Sequence, residues 1–377
     1  MSGIYIHIPF CKQACHYCDF HFSTSMKKKD EMVLALAKEL QMRSKEFEHE
    51  VVETIYFGGG TPSVLEISEL KLLIDTVYQN YNIAKNPEIT LEANPDDLSE
   101  DQIIELSENR INRLSIGVQS FFEDDLQLMN RAHNAEEAKA CLTHATKYFD
   151  NISIDLIYGI PGMNNDKWRQ NIEKALSFGI PHISSYALTV EPGTALKKLI
   201  QTGKIAEPSD EVAHEQFVIL VDVLNTHGFI HYELSNFGKK QYLSKNNSSY
   251  WLGRKYLGIG PSAHSYDGVS RSWNVANNAL YLKGIAGNQL PNEVEVLSMH
   301  DRYNEYIMTG LRTIWGVSLH RVEMEFGRKT SAYLKQQAQK FIVDELLLIE
   351  DDTLKTTSKG KFLTDGIASD LFLLNLE

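Results

Sequence analysis

Three of the chain's four cysteines lie in one short stretch, Cys11-Lys12-Gln13-Ala14-Cys15-His16-Tyr17-Cys18, near the start of its 377 residues. The apolar run 4–8, rich in branched residues, comes directly before this stretch and predicts a buried strand that ends at Pro9. Three thiols therefore sit on a loop at the end of a strand, and such a density indicates chemistry or metal binding. The fourth, Cys141, has no cysteine neighbour and is predicted to be a small buried hydrophobe.

Three kinds of site compete for the clustered thiols. A disulfide is disfavoured because no signal peptide is expected before the cysteines, and thiols inside cells are normally reduced. A structural zinc site, which would make the chain a metal-stabilised scaffold, needs four ligands, and His7, His16 or His21 is near enough in the sequence to supply the fourth. An iron–sulfur cluster is held by thiolates, normally four. With three ligands, a four-iron cluster would keep one iron open to a substrate or cofactor.

The composition is that of an acidic globular protein. Hydrophobic residues make up 43% of the chain, charged residues make up 23%, and the formal net charge is −13. This acidic excess disfavours general nucleic-acid binding, which needs a basic surface. No apolar run approaches the roughly 20 residues that span a membrane. We therefore expect a cytoplasmic protein with no membrane span and no nucleic-acid partner.

Strands and helices alternate up to about residue 200, with predicted strands at 4–8, 54–57, 88–92, 113–118, 152–158 and 182–188. The helical periodicity between them includes 29–47 and 135–148. This alternation predicts an α/β fold with a parallel sheet. Polar residues repeatedly close the strands, among them Glu92, Gln119 and Asp155. In barrels of this kind the active site lies at the carboxyl ends of the strands.

A glycine run, Gly58-Gly59-Gly60-Thr61-Pro62, ends the second predicted strand. Glycines let the backbone approach a ligand closely, and free N–H groups there can hold a polar group. A flexible turn is the alternative, but the position beside the cysteine loop favours a functional role. Two pairs downstream have the spacing of a capping box, which predicts helix starts at Ser63 with Glu66 and at Ser99 with Gln102.

The remaining sequence predicts two further parts. A helix is expected from Asp210 and a strand at 229–234, and the aromatic, Asn- and Gly-rich region 246–290 indicates a lid or substrate wall. From residue 301 the pattern is helical, with a strand pair at 347–349 and 354–356 that suggests a small winged-helix-like module. The predicted division is 1–205 for the barrel, 206–295 for a core extension with a substrate-side lid, and 296–377 for the helical module.

The spacing Cys-x3-Cys-x2-Cys at the end of a first strand resembles that of the radical S-adenosylmethionine (SAM) enzymes. The resemblance implies a [4Fe–4S] cluster held by Cys11, Cys15 and Cys18, with one iron open to the amino and carboxylate groups of SAM. In that family an electron from the cluster cleaves SAM to a 5′-deoxyadenosyl radical, so an electron donor such as flavodoxin or ferredoxin is also implied. The family's fold is an open (β/α)6 partial TIM barrel.

Longer motifs resemble the oxygen-independent coproporphyrinogen III oxidase family over essentially the whole chain: YIHIPFC at 5–11, YFGGGTP at 56–62, GVQSF at 117–121 and DLIYGIP at 155–161. The residues that match the SAM-contacting positions of that family are Tyr5, Tyr17, Gly59, Gly60, Thr61, Glu92, Gln119, Arg131 and Asp155. Their chemistry agrees, because carboxylates suit ribose hydroxyls or cationic groups and a guanidinium suits the SAM carboxylate. The Tyr17 ring can pack on the adenine.

Two features separate the branches of this family. Oxidases carry a further cysteine two places after the third ligand, where this chain has Phe20, and a long leader that we expect this chain to lack. Both features resemble the haem chaperone branch, HemW. The leading hypothesis is therefore a haem chaperone in haem trafficking that binds a cluster, SAM and haem. Radical oxidative decarboxylation of coproporphyrinogen III is the alternative, so enzymatic activity stays open.

The chaperone branch has a His-Asn-x-x-Tyr-Trp motif linked to haem, which this chain matches at Asn247, Tyr250 and Trp251. Asn246 occupies the histidine position, and an amide is a poor iron ligand compared with imidazole. His264 is an alternative haem or substrate contact, or else a hydrogen-bonded structural histidine. The resemblance implies haem or a porphyrinogen as the ligand and haem-accepting proteins as partners.

Overall fold

The computed structural model describes residues 2–373, and six parallel strands form the centre of its main sheet. In chain order the strands are β1 Ser2–Ile8, β2 Val52–Gly59, β3 Ile83–Ala93, β4 Arg113–Gln119, β5 Ile152–Tyr158 and β6 His182–Ala187. The helices that follow them are α1 Lys29–Met42, α2 Ile67–Asn80, α3 Glu100–Glu108, α4 Glu123–Leu128, α5 Ala135–Tyr148, α6 Asn165–Ser177, α7 Ala195–Gln201 and α8 Asp210–Thr226. Each helical connection returns the chain so that the next strand runs parallel.

The register of the parallel ladder brings the carboxyl ends of the strands to one edge. Ile8 at the end of β1 pairs with Gly59 at the end of β2, and Tyr158 of β5 pairs with Ala187 of β6. The loops that follow these strands, including the cysteine loop, therefore leave the sheet on the same side.

Side chains alternate along β1 in the way that its sequence dictates. Ile4, Ile6 and Ile8 are almost completely buried in one hydrophobic cluster with Met32 and Leu36 of α1. Burial of each such side chain contributes about 1.5–3 kcal/mol. The apolar face of the strand thus fixes α1 on the sheet, and the intervening residues are left for the inner face.

The main sheet continues on both sides of these six strands to a total of twelve strands in the described residues, and β9, the neighbour of β1, also runs parallel. Next to β6, the strands β7 Ile230–Glu233 and β8 Asn236–Gly238 pair in the order β6-β8-β7. Next to β1, the order is β1-β9-β10-β11-β12, formed by β9 Lys255–Ile259, β10 His264–Tyr266, β11 Ser270–Asn274 and β12 Asn292–Val296. Two helices complete this region, α9 Lys245–Trp251 and α10 Asn278–Ala286.

Residues 255–296, for which the sequence composition predicts a lid or substrate wall, therefore widen the sheet. The alternation of small polar residues with the larger Arg271 and Trp273 in Ser270–Asn274 suits an antiparallel strand, and β11 pairs along its full length with β12. The pairing partners of these residues therefore make them part of the sheet, and their role as a lid or substrate wall stays a prediction.

The C-terminal part has its own small core. It contains four helices and three short strands, namely α11 Met299–Leu311, β13 Val317–Ser318, α12 Leu319–Phe326, α13 Arg328–Val343, β14 Leu347–Glu350, β15 Thr353–Thr356 and α14 Thr364–Asp370. The strands pair antiparallel in the order β13-β15-β14 around buried Leu334 and Leu354. The backbone N–H of Ile314 donates to the Tyr232 carbonyl of β7 at 3.0 Å, which joins this part to the main sheet.

Within residues 2–373, no helix combines the length and the apolar character that crossing a lipid bilayer requires.

Candidate functional site

A cavity of about 700 Å³ opens at the carboxyl ends of the parallel strands. Its volume lies within the range of small-molecule sites. The predicted site residues that line it are Cys11, Cys15, Tyr17, Cys18, Gly59, Gly60, Thr61, Glu92, Gln119, Arg131 and Asp155. Tyr5 does not line the cavity, and its ring stacks on that of Tyr56 with a centroid distance of 6.0 Å. The loops after five different strands thus converge on one space.

The glycine run holds the cysteine loop against the sheet. The N–H of Gly60 donates to the Ile8 carbonyl at 2.9 Å, and the N–H of Thr61 donates to the Phe10 carbonyl at 2.7 Å. A Cβ atom at Gly60 would lie 2.6 Å from that Phe10 oxygen, so only glycine allows the approach. The sequence predicts free N–H groups here for a ligand. The structure instead uses both groups to fix the loop that carries the thiols.

Two side chains donate hydrogen bonds to the cysteine sulfurs. The Thr61 hydroxyl donates to Cys11 Sγ at 3.3 Å, and Arg131 Nη1 donates to Cys15 Sγ at 3.2 Å. Burial raises the pKa of the Cys11 thiol to about 11. A coordinating metal deprotonates such a thiol, and these donors then stabilise the charge that remains on sulfur.

The three histidines near the cysteines are engaged elsewhere. His16 Nδ1 lies 2.8 Å from the Leu128 carbonyl, His21 Nε2 lies 2.8 Å from Asn278 Oδ1, and His7 Nε2 lies 2.9 Å from the His21 carbonyl. Among residues 2–373, no three His, Cys, Asp or Glu side chains are close enough to hold one metal ion. A four-iron cluster distributes its thiolates over separate irons. The donor set therefore fits a cluster better than a single zinc ion.

Two acidic side chains of the strands, Glu92 and Asp155, line the cavity without a salt bridge in the described part of the chain. Glu92 accepts hydrogen bonds from the Tyr56 hydroxyl at 2.7 Å and from the Gly59 N–H at 3.2 Å. Burial raises the pKa of Glu92 to about 7, and burial raises the pKa of Asp155 to about 6 although Arg113 and Arg131 oppose that shift. Carboxylates buried in this way favour a cationic ligand.

The Arg131 guanidinium connects the cysteine loop to the ends of β3 and β4. Its Nη2 donates to Asn94 Oδ1 at 2.7 Å and to the Gly117 carbonyl at 3.0 Å, while Nη1 also reaches the Tyr17 hydroxyl at 3.4 Å. Asn94 is absent from the predicted site residues, although it directly follows the end of β3. Its position two residues after Glu92 was the signal that could have indicated it.

Gln119 ends β4 in a strained conformation. Its φ is 62°, in the left-handed region that non-glycine residues rarely occupy. Its Oε1 atom is buried, and no donor within residues 2–373 reaches it. An unsatisfied acceptor of this kind costs about 1–3 kcal/mol. A ligand donor in the cavity would remove that cost, so Gln119 fits a ligand-contacting role.

The four residues predicted for the haem side, namely Asn247, Tyr250, Trp251 and His264, lie outside the cavity lining. The first three are on α9. Asn246, at the same helix start, is buried, where its N–H donates to Glu88 Oε1 at 3.1 Å and its Oδ1 accepts from the Thr54 hydroxyl at 3.0 Å. Glu88 lies in the middle of β3 and Thr54 lies near the amino end of β2. The start of α9 therefore packs away from the carboxyl ends of these strands, where the cavity opens.

The remaining haem-side residues have separate neighbours. The Tyr250 ring meets Tyr256 edge-on at 4.7 Å, and the Trp251 ring lies 5.2 Å from the guanidinium carbon of Arg312. His264 of β10 lies 5.9 Å from Trp273, its cross-strand partner on β11. Their role in haem binding therefore stays a prediction.

The C-terminal part contributes a further wall of the cavity. The residues it supplies are Arg312, Lys361, Phe362 and Asp365. Sequence patterns give no signal for them, because they resemble ordinary surface residues and lie far along the chain from the cysteines.

Known proteins are similar to this chain over nearly all of its length. Residues 5–193 match the radical SAM superfamily, and residues 297–363 match the HemN C-terminal domain. The heme chaperone HemW of Mycobacterium tuberculosis is 33% identical over 375 residues, which cover 98% of this chain and 94% of that protein. The heme chaperone HemW of Bacillus subtilis is 34% identical over 97% of this chain and 98% of its own length. This chain belongs to the HemW family of the radical SAM superfamily.

A solved structure confirms the predicted fold of this HemW-family chain. The coproporphyrinogen III oxidase HemN from Escherichia coli matches it with a TM-score of 0.86, over 98% of this chain and 90% of that one, at 22% identity. The predicted radical SAM partial barrel with a helical C-terminal part is therefore confirmed. Membership of the superfamily implies a [4Fe–4S] cluster and SAM as cofactors, and the cavity has the thiols and acceptors that these groups need.

Proposed function

We propose that this HemW-family chain is a haem chaperone that holds a [4Fe–4S] cluster on Cys11, Cys15 and Cys18 and binds SAM and haem. One observation carries the proposal: the three thiols share a single cavity with strand-end carboxylates and an unsatisfied acceptor. Its alignment from end to end with proteins named heme chaperones supports this choice over an oxidase. When bound, the cluster supplies one-electron chemistry to SAM.

The chain's own residues divide the binding of SAM between them. Arg131 orients the SAM carboxylate, because a charge-assisted pair is strong. Glu92 and Asp155 take the cationic groups or the ribose hydroxyls, and Gln119 Oε1 accepts a hydrogen bond from the ligand. Tyr17, beside Cys18, supplies a ring for the adenine. The glycine run (Gly59, Gly60) and Thr61 shape the wall next to the cluster, and the Tyr5 ring stacks on Tyr56, which donates to Glu92.

The haem part of the proposal rests on the rest of the cavity. Ile157, Leu188 and Phe217 provide apolar surface there, and Phe20 is exposed at its rim, where an oxidase would have a further cysteine. Asn247, Tyr250, Trp251 and His264 are proposed haem or partner contacts outside the cavity. The proposed partners are haem-accepting proteins and an electron donor such as flavodoxin or ferredoxin, in the cytoplasm.

Anaerobic reconstitution followed by two parallel assays tests the proposal. We expect retained iron and sulfide, and a Soret band that changes saturably when haem is added. Protein that takes up zinc but no iron would overturn the cluster, and a Soret band that never saturates would overturn the chaperone function. The second assay adds SAM, a reductant and coproporphyrinogen III. Formation of protoporphyrinogen would favour the oxidase alternative.

A further inference from the structure

Lys361 brings a partly buried positive charge to the cavity. It lies on the C-terminal part, lines the cavity, and donates from Nζ to His231 Nδ1 at 2.8 Å. His231 Nε2 lies 3.1 Å from the Leu234 carbonyl, which fixes the ring orientation. Burial and, to a smaller extent, the nearby Lys361 charge lower the pKa of His231 to about 3, so this ring is neutral and accepts the bond.

No carboxylate within residues 2–373 forms a salt bridge with Lys361, and its neutral histidine partner does not cancel the charge. Burial lowers the pKa of Lys361 to about 8, so the side chain is still mainly an ammonium at neutral pH. A partly buried cation without an anion costs free energy unless a ligand supplies the anion.

Arg312 adds a second cation to the same wall. Its Nη1 donates to both carboxylate oxygens of Asp365, at 2.6 and 2.7 Å, and its Nε is buried without a partner among the described residues. Asp365 is mostly exposed, and Glu233, which is near Arg312, accepts a hydrogen bond from Asn236. The guanidinium therefore keeps donor capacity next to Lys361.

Apolar rings border this cationic pair. The Phe217 ring of α8 lies 5.7 Å from the Phe362 ring, and both line the cavity. The cysteine loop follows β1, whereas His231 and Leu234 next to Lys361 belong to the β8-β7 side of the sheet. A ligand that reaches Lys361 from the cluster would therefore extend across the cavity.

We infer that Lys361 and Arg312 form a carboxylate-binding subsite that holds the propionate groups of a tetrapyrrole while Phe217 and Phe362 contact its apolar body. This inference rests on the proposed haem function and names the part of the cavity that would select the ligand. SAM also has a carboxylate, but the subsite is assigned to the tetrapyrrole because Arg131 beside the cysteines already suits SAM.

A comparison of two ligands tests the subsite. Reconstituted wild-type protein is titrated with haem and with haem dimethyl ester, in which the carboxylates are blocked. We expect wild type to bind haem at least about tenfold tighter, since hydrogen bonds to charged groups are worth about 1.5–3 kcal/mol. Lys361→Met and Arg312→Met should lose most of this preference, and Lys361→Arg should keep it.

Lys359→Met is the matched control. It removes an equal charge only two residues from Lys361, but the Lys359 side chain is exposed and does not line the cavity. It should behave like wild type. Unchanged preference in Lys361→Met would overturn the subsite while leaving the haem function in place, whereas failure of wild type to bind either ligand would overturn the haem function itself. Weakened SAM binding with unchanged haem binding would assign the subsite to SAM and also overturn the inference.

Folding of the variants is measured separately. Thermal unfolding of Lys361→Met should occur at or above the wild-type temperature, because methionine removes a partly buried unpaired charge and keeps the apolar stem. A variant that unfolds earlier is replaced in the comparison by Lys361→Gln, and an unchanged preference there also overturns the inference.

Discussion

At the scale of single residues, the four cysteines have different surroundings despite identical chemistry. Cys11, Cys15 and Cys18 line the cavity, where Thr61 and Arg131 donate to two of the sulfurs. Cys141 lies on α5 and is buried in the hydrophobic core, as its isolation in the sequence predicts. Position in the fold, and not the thiol itself, separates the proposed ligands from a packing residue.

Replacement of Cys11, Cys15 or Cys18 with serine should abolish cluster retention. A hydroxyl does not replace a thiolate as an iron ligand in such clusters, so reconstituted variants should hold far fewer than about four irons per chain. Iron and sulfide analysis with visible absorbance measures this. Cys141→Ala is the control and should retain iron. Full iron content in any of the three serine variants would show that its sulfur is not a ligand.

The Glu92 carboxyl predicts a pH dependence of SAM binding. Its pKa of about 7, raised by burial, means that the ionised form that attracts a cation is lost as pH falls through 7. Affinity for SAM should therefore weaken about tenfold between pH 8 and pH 6. The same shift affects the stability of the ligand-free protein. The unfolded chain loses the Glu92 proton near the usual glutamate pKa of about 4.3, whereas the folded chain keeps it up to about pH 7. The free energy of unfolding should therefore decrease as pH rises through this range.

Calorimetric titration of wild type and Glu92→Gln with SAM between pH 6 and pH 8 measures this effect. The amide cannot ionise, so the variant should bind more weakly and with little pH dependence. Glu108→Gln, at an exposed position of α3, should follow the wild-type curve. A wild-type affinity that is flat over this range would contradict the assignment of Glu92 to a cationic part of SAM.

At the scale of elements, local sequence signals located most starts and ends. The predicted helix 135–148 and strand 152–158 coincide with α5 and β5. The predicted helix 29–47 ends early, because α1 stops at Met42 and a 3-10 turn occupies Ser44–Phe47. The capping box predicted at Ser63 is wrong. α2 instead begins with Glu66 and Glu69 as the reciprocal pair, while the Ser63 hydroxyl donates to Asp97 at 2.7 Å.

The second predicted capping box is confirmed at α3 and gives a stability prediction. The Gln102 N–H donates to the Ser99 hydroxyl at 3.3 Å, and the Ser99 N–H donates to the Gln102 side chain at 2.9 Å. Ser99→Ala should lower the free energy of unfolding by about 1 kcal/mol. Ser107→Ala, within the same helix, should be neutral or slightly stabilising because alanine favours helix interiors. Equal effects of both changes in urea denaturation would refute the cap.

At the scale of the whole molecule, two hydrophobic cores contribute to one cavity. The main core carries the cysteine loop and the predicted SAM residues, and the C-terminal core carries Arg312, Lys361 and Phe362. Hydrogen bonds such as Ile314 to Tyr232 and Lys361 to His231 join the two parts. Destabilising the C-terminal core should therefore weaken haem binding while the cluster and SAM binding are retained.

Leu334→Ala tests this expectation. Leu334 of α13 is completely buried in the C-terminal core, so the change should destabilise that part by about 2–5 kcal/mol. Haem affinity should fall, whereas iron content and SAM binding should be unchanged. Val343→Ala, on the exposed side of the same helix, is the control and should behave like wild type. Loss of iron in Leu334→Ala would show that the C-terminal core supports the cluster loop directly.

The sequence by itself determined the parallel α/β core, the cysteine loop and most residues of the cavity. These follow from local patterns: branched runs that bury one strand face, helical periodicity between them, and polar residues at strand ends. Parallel register then places those ends together, so the meeting of Cys11, Glu92, Gln119 and Asp155 required no further information.

Only the tertiary structure decided how the glycine N–H groups are used, where residues 255–296 pack, and which C-terminal side chains reach the cavity. Each of these features depends on contacts between segments that are distant in the sequence, such as Gly60 with Ile8 and Lys361 with His231. Such contacts produce no periodic pattern in the local sequence. Lys361 has the sequence context of a surface lysine. Packing of the C-terminal part against β7 partly buries its charge at the cavity wall.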